Sequence, residues 1–238
     1  MRRVLSLVLT LSAGQAAAVA CHDADYDGIS YSICEVAPRT DDLQLFHKDA
    51  EGNVYGNFSA IEAAEGPLTF AMNAGMYHDD RSPVGLYVED GTETQRLIPN
   101  AGPGNFGMLP NGVLCIDEDR ARVIDTLEFR DRGRTCRDAT QSGPMLVIEG
   151  KLHPRFLLDS TSRFIRNGVG TTEDGTRAVF VIANQPVTFY QFGSLFRDFL
   201  KLPNALYFDG KVSRLYALEL GRADSGFKLG PIVGVLAK

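Results

Sequence analysis

Short runs of β-branched, aromatic and other apolar residues alternate with clusters of Gly, Pro and Asn along almost the whole chain. Runs this short suit strands, since a helix needs roughly ten or more residues to span a domain. The pattern predicts strands at Ile29–Val36, Asp42–Phe46, Thr69–Ala71, Val84–Glu89, Gly112–Ile116, Ala121–Thr126, Met145–Ile148, Phe164–Thr171, Ala178–Ala183 and Ala205–Phe208. Asn111-Gly112 and Glu149-Gly150 supply turn chemistry. Two segments depart from this rhythm and predict helices. Ala60–Ala64 is short. Gly193–Leu202 is stronger, because Phe192, Leu195, Phe196, Phe199 and Leu200 recur at helical spacing. Ser194 is placed to cap its start, and Pro203 follows its end. The expected fold class is α+β: one β-rich domain on a mixed sheet, with this helix packed against it. The aromatic stripe then belongs to the core.

Residues 1–20 stand outside that pattern. Arg2 and Arg3 precede an apolar run from Val4 to Leu11, and Ala18-Val19-Ala20 is a small-residue cleavage pattern. That order is a signal peptide, which leaves a domain over residues 21–238 and a periplasmic or secreted location. Cleavage before Cys21 raises a lipoprotein alternative. It is disfavoured because Ala18 stands where such signals carry Leu or a similar aliphatic residue. No later apolar stretch approaches the roughly 20 residues of a membrane span. The formal charge is −6 with no basic block, which argues against a nucleic-acid partner.

An even count of four cysteines in an exported chain suggests disulfides. Three pairings are possible. Cys21–Cys34 with Cys115–Cys136 is favoured, because each closes a short local loop. Neither spacing is Cys-x-x-Cys, so zinc or thiol redox chemistry is the weaker reading.

A small set of polar residues recurs beside the strands. It comprises Asn73 and Gly75, Asn105, Gln141 and Ser142, Arg166 and Asn167, and Asp209, Gly210 and Ser213. Glycines at such points permit positive φ or close approach of a ligand. Asn and Gln both donate and accept, which suits sugar hydroxyls. Arg presents a planar fork to phosphate oxygens. A carboxylate adds proton transfer or nucleophilic attack. Together these parts suit a phosphorylated sugar, without separating an enzyme from a binding module. Asp23-Ala24-Asp25-Tyr26-Asp27-Gly28 imitates the start of a calcium loop, but Cys34 holds its twelfth position in place of Glu. Ser142 lacks the Gly-x-Ser-x-Gly elbow of a serine hydrolase. His78 and His153 adjoin these motifs and read as loop histidines, and His47 as a surface residue.

Several longer stretches extend these motifs: Phe70–Tyr77, Pro83–Tyr87, Gly104–Phe106, Pro110–Gly112, Ala139–Leu146, Ile165–Gly170 and Asn204–Gly210. In this order, across nearly the whole mature chain, they resemble the phosphodiester glycosidase family, and its smaller bacterial branch in particular. That family includes the lysosomal uncovering enzyme, which removes N-acetylglucosamine from its phosphodiester link to mannose. The resemblance implies a hydrolase cleaving a sugar-1-phosphodiester in a small molecule or glycan; no cofactor and no metal ligand is assigned, and metal dependence is left open. In that role Arg166 would grip phosphate and Asp209 would act as base or nucleophile. Asn73, Asn105, Gln141 and Asn167 would orient the sugar, Ser213 would assist, and Gly75, Ser142 and Gly210 would complete the pocket. Glu89 and Asp79 are the candidates for a second acid. The family's last motif usually reads Leu-Asp-Gly-Gly-Gly-Ser, whereas Phe208 and Lys211-Val212 depart from it here, so substrate identity does not transfer. The alternative is a non-catalytic glycan- or phosphate-binding envelope protein. Oligomeric state is left open.

Overall fold

The computed structural model describes residues 19–238, so the expected signal peptide, save its last two positions, lies outside the described residues. In chain order the strands are β1 Ala20–Tyr26, β2 Ile29–Val36, β3 Leu43–Phe46, β4 Leu68–Asn73, β5 Tyr87–Glu89, β6 Thr92–Gln95, β7 Gly112–Ile116, β8 Ala121–Asp125, β9 Asp138–Ser142, β10 Met145–Ile148, β11 Lys151–Leu152, β12 Asn167–Thr171, β13 Ala178–Ala183, β14 Asn204–Asp209, β15 Leu215–Ala217, β16 Arg222–Ala223 and β17 Ile232–Leu236. The helices are α1 Phe58–Glu65, α2 Thr126–Asp131 and α3 Phe189–Ser194, and α3 continues as a π-helical turn over Leu195–Phe199.

The α+β class holds, but the expected single mixed sheet is instead three sheets. Their strand orders are β1-β2-β13-β12-β14-β10-β11, β16-β15-β4-β17-β3 and β6-β5-β9-β7-β8. Every strand pairing among the described residues is antiparallel. Six pairings are hairpins of consecutive strands, β1-β2, β5-β6, β7-β8, β10-β11, β12-β13 and β15-β16, and the others join strands that are not consecutive in the chain. The aspartate-rich segment that imitates a calcium loop is β1 and its turn. Asp27 and Gly28 both take positive φ, 52° and 71°, as a two-residue hairpin requires.

Leu43, Phe70, Met72, Leu114, Val123, Val169, Phe180, Leu206, Phe208 and Val233 form one central cluster shared by all three sheets. Helices cover the outer faces. Phe58 and Ile61 of α1 pack on the second sheet, and Phe129 of α2 on the third. Phe192, Leu195 and Phe196 pack on the first with Ile33, Val181 and Tyr207. This last helix starts earlier than its apolar stripe suggests. Its cap is Thr188, which forms a capping box with Gln191, whereas Ser194 lies buried inside with no partner for its hydroxyl. The π turn adds a residue to the helical repeat, and Phe199 is left 45% exposed, off the buried stripe.

Both expected disulfides are present. Cys21 and Cys34 are cross-strand partners in β1 and β2, and Cys115–Cys136 ties β7 to the segment leading into β9. The second bridge closes a separation of 21 residues. Replacing Cys115 and Cys136 together with Ala should lower unfolding free energy by about 3 kcal/mol through the freed denatured loop. Urea titration checks this, and an unchanged midpoint would count against it.

Candidate active site

The polar residues singled out above stand at strand ends. Asn73 closes β4, Ser142 closes β9, Asn167 opens β12 and Asp209 closes β14. Strand register brings them together. Asn167 pairs with Asp209, yet Gly168 pairs with Tyr207, so Phe208 is an extra residue in a β-bulge. Bulges redirect side chains beside them. Freed from the regular ladder, the Phe208 carbonyl accepts from Ser142 Oγ at 3.3 Å.

Asn167 is the hub. It is fully buried, and its Nδ2 donates to the backbone oxygen and to Oδ1 of Asn73, both at 3.0 Å. Its Oδ1 accepts from the Asp209 amide at 3.1 Å and from Ser213 Oγ at 3.2 Å. Asn73 Oδ1 also accepts from the Arg214 amide at 2.9 Å. One pair of side-chain amides thus joins β4, β12, β14 and the approach to β15. The Asp209 carboxylate, half-buried, closes the following turn. It accepts from the amides of Gly210 and Lys211 through Oδ1 and from Val212 through Oδ2. Such Asx-type bonds fix where the carboxylate stands.

Arg166 lies just before β12, not within it, and is 1% exposed. Its guanidinium stacks 3.7 Å from the Phe189 ring centroid, with the Phe164 and Tyr207 rings at 5.3 and 5.4 Å. Nε donates to the Val187 carbonyl at 2.9 Å and Nη2 to the Ser162 carbonyl at 3.1 Å. Nη1 has no protein partner. Burial holds this arginine below its usual pKa, and Tyr207 opposes that effect. Burial also pushes the Tyr207 phenol up, against the pull of Arg166 and of the neighbouring Asn105 side chain. A Cβ on Gly210 would fall 2.5 Å from the Tyr207 hydroxyl, so the loop after Asp209 can close over that phenol only with glycine there. Tyr207 therefore joins Arg166, Asn105 and the Asp209 turn. Sequence reasoning missed it. The one available signal was a tyrosine two residues before the motif's Asp.

Two of the expected substrate contacts serve the scaffold. Gln141 Oε1 accepts from the Leu86 and Ile98 amides, while Nε2 donates to the Ile98 carbonyl and Thr126 Oγ1. These bonds use all four positions of its amide. Gly75 takes φ +127°, and a Cβ there would sit 3.1 Å from Thr140 Oγ1. It lets the chain turn after β4.

Neither candidate second acid hydrogen-bonds to this network among the described residues: Glu89 accepts from the His47 amide, and the Asp79 carbonyl from Arg81. Asp79 is exposed. Glu89 lines a separate cavity of about 450 Å³ with Tyr55, Glu65 and Asp138. The histidines differ from their expected setting: His47 and His153 are buried, their Nε2 atoms bonded to the Arg81 and Leu109 carbonyls, and only His78 of the three is exposed. A cavity of about 760 Å³ lined by Arg122, Glu128, Arg132 and Asn204 holds none of the motif side chains that meet at Asp209, so size alone does not mark the site.

Burial raises the Glu89 pKa to about 7 from 4.5. The folded protein keeps that proton through a window in which the unfolded chain has released it. Stability from the neutral form is therefore present at low pH and is lost as pH rises from about 4.5 through 7. Glu89→Gln should leave stability unchanged at pH 4 and raise it by about 1–2 kcal/mol at pH 8, allowing for partial solvent screening. Thermal melts of both proteins across that range test the sign.

With this geometry in view, residues 67–229 match the phosphodiester glycosidase family, and the chain belongs to it. Over 184 residues it is 34% identical to the uncharacterized protein YigE of Escherichia coli (strain K12), covering 76% of this chain and 72% of that one. Its fold is similar to the catalytic domain of zebrafish N-acetylglucosamine-1-phosphodiester alpha-N-acetylglucosaminidase, solved auto-inhibited by its pro-peptide. The TM-score is 0.61 at 13% identity, over 93% of this chain and 83% of that one. A hypothetical protein from Synechocystis gives a TM-score of 0.59 at 12% identity, over 92% and 62%.

Proposed function

We propose that this chain is an exported hydrolase that cleaves the bond between a sugar anomeric carbon and a phosphodiester oxygen. The observation carrying this reading is the Asp209 carboxylate, fixed by its own turn and by Asn167, with the Arg166–Tyr207 pair beside it. Cleavage releases a phosphate monoester, a stable anion, so the reaction asks less of a general acid than ordinary glycoside hydrolysis does. That suits a site with a single motif carboxylate. Asp209 would then activate water or attack the anomeric carbon. Asn105, Gly210 and the Tyr207 hydroxyl would border the substrate. Asn73, Asn167, Ser142 and Ser213 would hold the reacting groups in register, with Gln141 and Gly75 setting the strands behind them. Arg166 would act chiefly through its field, which favours negative charge gathering on the departing phosphate.

Two disulfides support an oxidising compartment, and no helix of the described residues is long and apolar enough to cross a membrane. One observation favours the non-catalytic alternative: both Asp209 oxygens already accept backbone amides. Assay of the disulfide-bonded chain on a panel of sugar-1-phosphodiesters separates the two. Turnover of any member supports the hydrolase. Saturable binding of a member with no turnover supports the binding protein.

A further inference from the structure

Arg214 follows Ser213 directly, and its amide donates to Asn73 Oδ1, so its backbone belongs to the network around Asn167. Its side chain is different. The residue is 7% exposed, yet among the described residues its guanidinium makes no hydrogen bond and no ion pair with the protein. The side chain is largely enclosed while its guanidinium nitrogens still reach solvent through the cavity, so five donors and a full charge face an open space with no protein partner.

That side chain lines a cavity of about 350 Å³ with Asn57, Phe58, Ser59, Ser225 and Gly226. Phe58 and Ser59 open α1; the Asn57 side chain already accepts from the Ala60 amide and the Ser59 hydroxyl, which leaves the Phe58 and Ser59 amides without an intrahelical acceptor. Helix N-termini of this kind attract anions. A Cβ on Gly226 would lie 2.5 Å from Arg214 Nη2, so the backbone there leaves room for the guanidinium and little else. The two carboxylates bordering the cavity are engaged elsewhere. Asp224 accepts from Arg222 twice and from the Leu215 amide, and Glu62 accepts from Tyr216 Oη and the Leu68 amide. Arg214 also lies in the field of Tyr77, which in turn lies in that of Asp209, and in the field of Asp224, which faces it without an ion pair.

We infer that Arg214 and the N-terminus of α1 form a binding position for a phosphate-type oxyanion. The position adjoins the Asn73–Asn167–Asp209 network. That the anion is the substrate's own phosphate rests on the hydrolase reading; the binding position does not.

The test titrates inorganic phosphate, and separately dimethyl phosphate as a diester, into the isotopically labelled, disulfide-bonded chain. Amide shifts are followed at Phe58, Ser59, Ser225 and Gly226. Saturable shifts at these amides are expected. Arg214→Gln should weaken binding about tenfold or more, the loss of a charged grip. Arg214→Lys should keep part of it, and Arg122→Gln, in a different cavity, should leave it unchanged. Gly226→Ala, which crowds the guanidinium from outside, is a second route to the same loss if Arg214→Gln does not fold. Shifts elsewhere only, or equal affinity in Arg214→Gln, overturn the assignment. Preference for dimethyl over inorganic phosphate identifies a diester position; the reverse identifies a site for the released monoester or free phosphate. Phosphate binding that depends on Arg214, with no turnover of any sugar phosphodiester, leaves the position standing and removes the hydrolase. Turnover with phosphate binding and KM untouched by Arg214→Gln does the opposite.

Discussion

Asp209→Asn should reduce turnover of a sugar-1-phosphodiester by about a thousandfold, within the range expected for losing a general base. The substitution is nearly isosteric. The remaining amide oxygen can still accept from the Gly210 and Lys211 amides, as Asp209 Oδ1 does. Only the weaker bond to the Val212 amide, 3.3 Å, must change. Stability should fall by about 1 kcal/mol, the net worth of one hydrogen bond. The prediction is therefore a separation of two readouts: a large drop in kcat beside a small shift in the urea midpoint. Full activity in a folded Asp209→Asn protein would remove this carboxylate from the chemistry. A large loss of stability instead would mean that the carboxylate serves the turn before it serves any substrate.

Asn167→Leu should be the most destabilising single change in the site, at about 3–5 kcal/mol. Leucine has a similar shape but removes both polar ends of the hub. The Asn73 carbonyl would lose a partner in a fully buried setting, and the Asp209 amide in a partly buried one. An unsatisfied buried group costs about 1–3 kcal/mol, and Ser213 Oγ loses one of its acceptors as well. Ser213→Ala makes an informative contrast, because it removes a donor without stranding the Asp209 amide. It should cost about 1 kcal/mol. Equilibrium denaturation of the two variants measures both. If Asn167→Leu falls within 1 kcal/mol of wild type, the network is ornament and the strand ends are held by the core alone.

Much of this arrangement could be read from residue order, and the failures have physical causes. Strands such as Gly112–Ile116 and Ala178–Ala183 are apolar runs buried on both faces, so composition alone marks them. β9, Asp138–Ser142, is equally buried but mostly polar, and was not expected. Its side chains are satisfied by distant partners, as with Gln141 and the Leu86 and Ile98 amides, and no local pattern announces that. β1 was hidden because an edge strand can carry aspartates on its open face. The site divides the same way. Asn73, Asn167 and Asp209 sit at strand ends beside glycines, where chemistry is commonly placed, and they could be picked out. The aromatic enclosure of Arg166 depends on Phe189, from a helix more than twenty residues away in the chain. Tyr207 and Arg214 gain their meaning only from what lies across the fold.

The extra residue at Phe208 has a consequence for how this molecule can vary. It works like an offset tooth on a key. Sliding β14 by one place against β12 would strand the Asn167 hub and turn Asp209 away, so the stretch from Asn204 to Ser213 has no slack in length. At the far end of the same strand, the Asn204 side chain binds the amide of Glu149, and Glu149-Gly150 is an exposed turn. An added segment or fused partner placed at that turn would lengthen the chain at the end of β14 opposite the Asp209 chemistry.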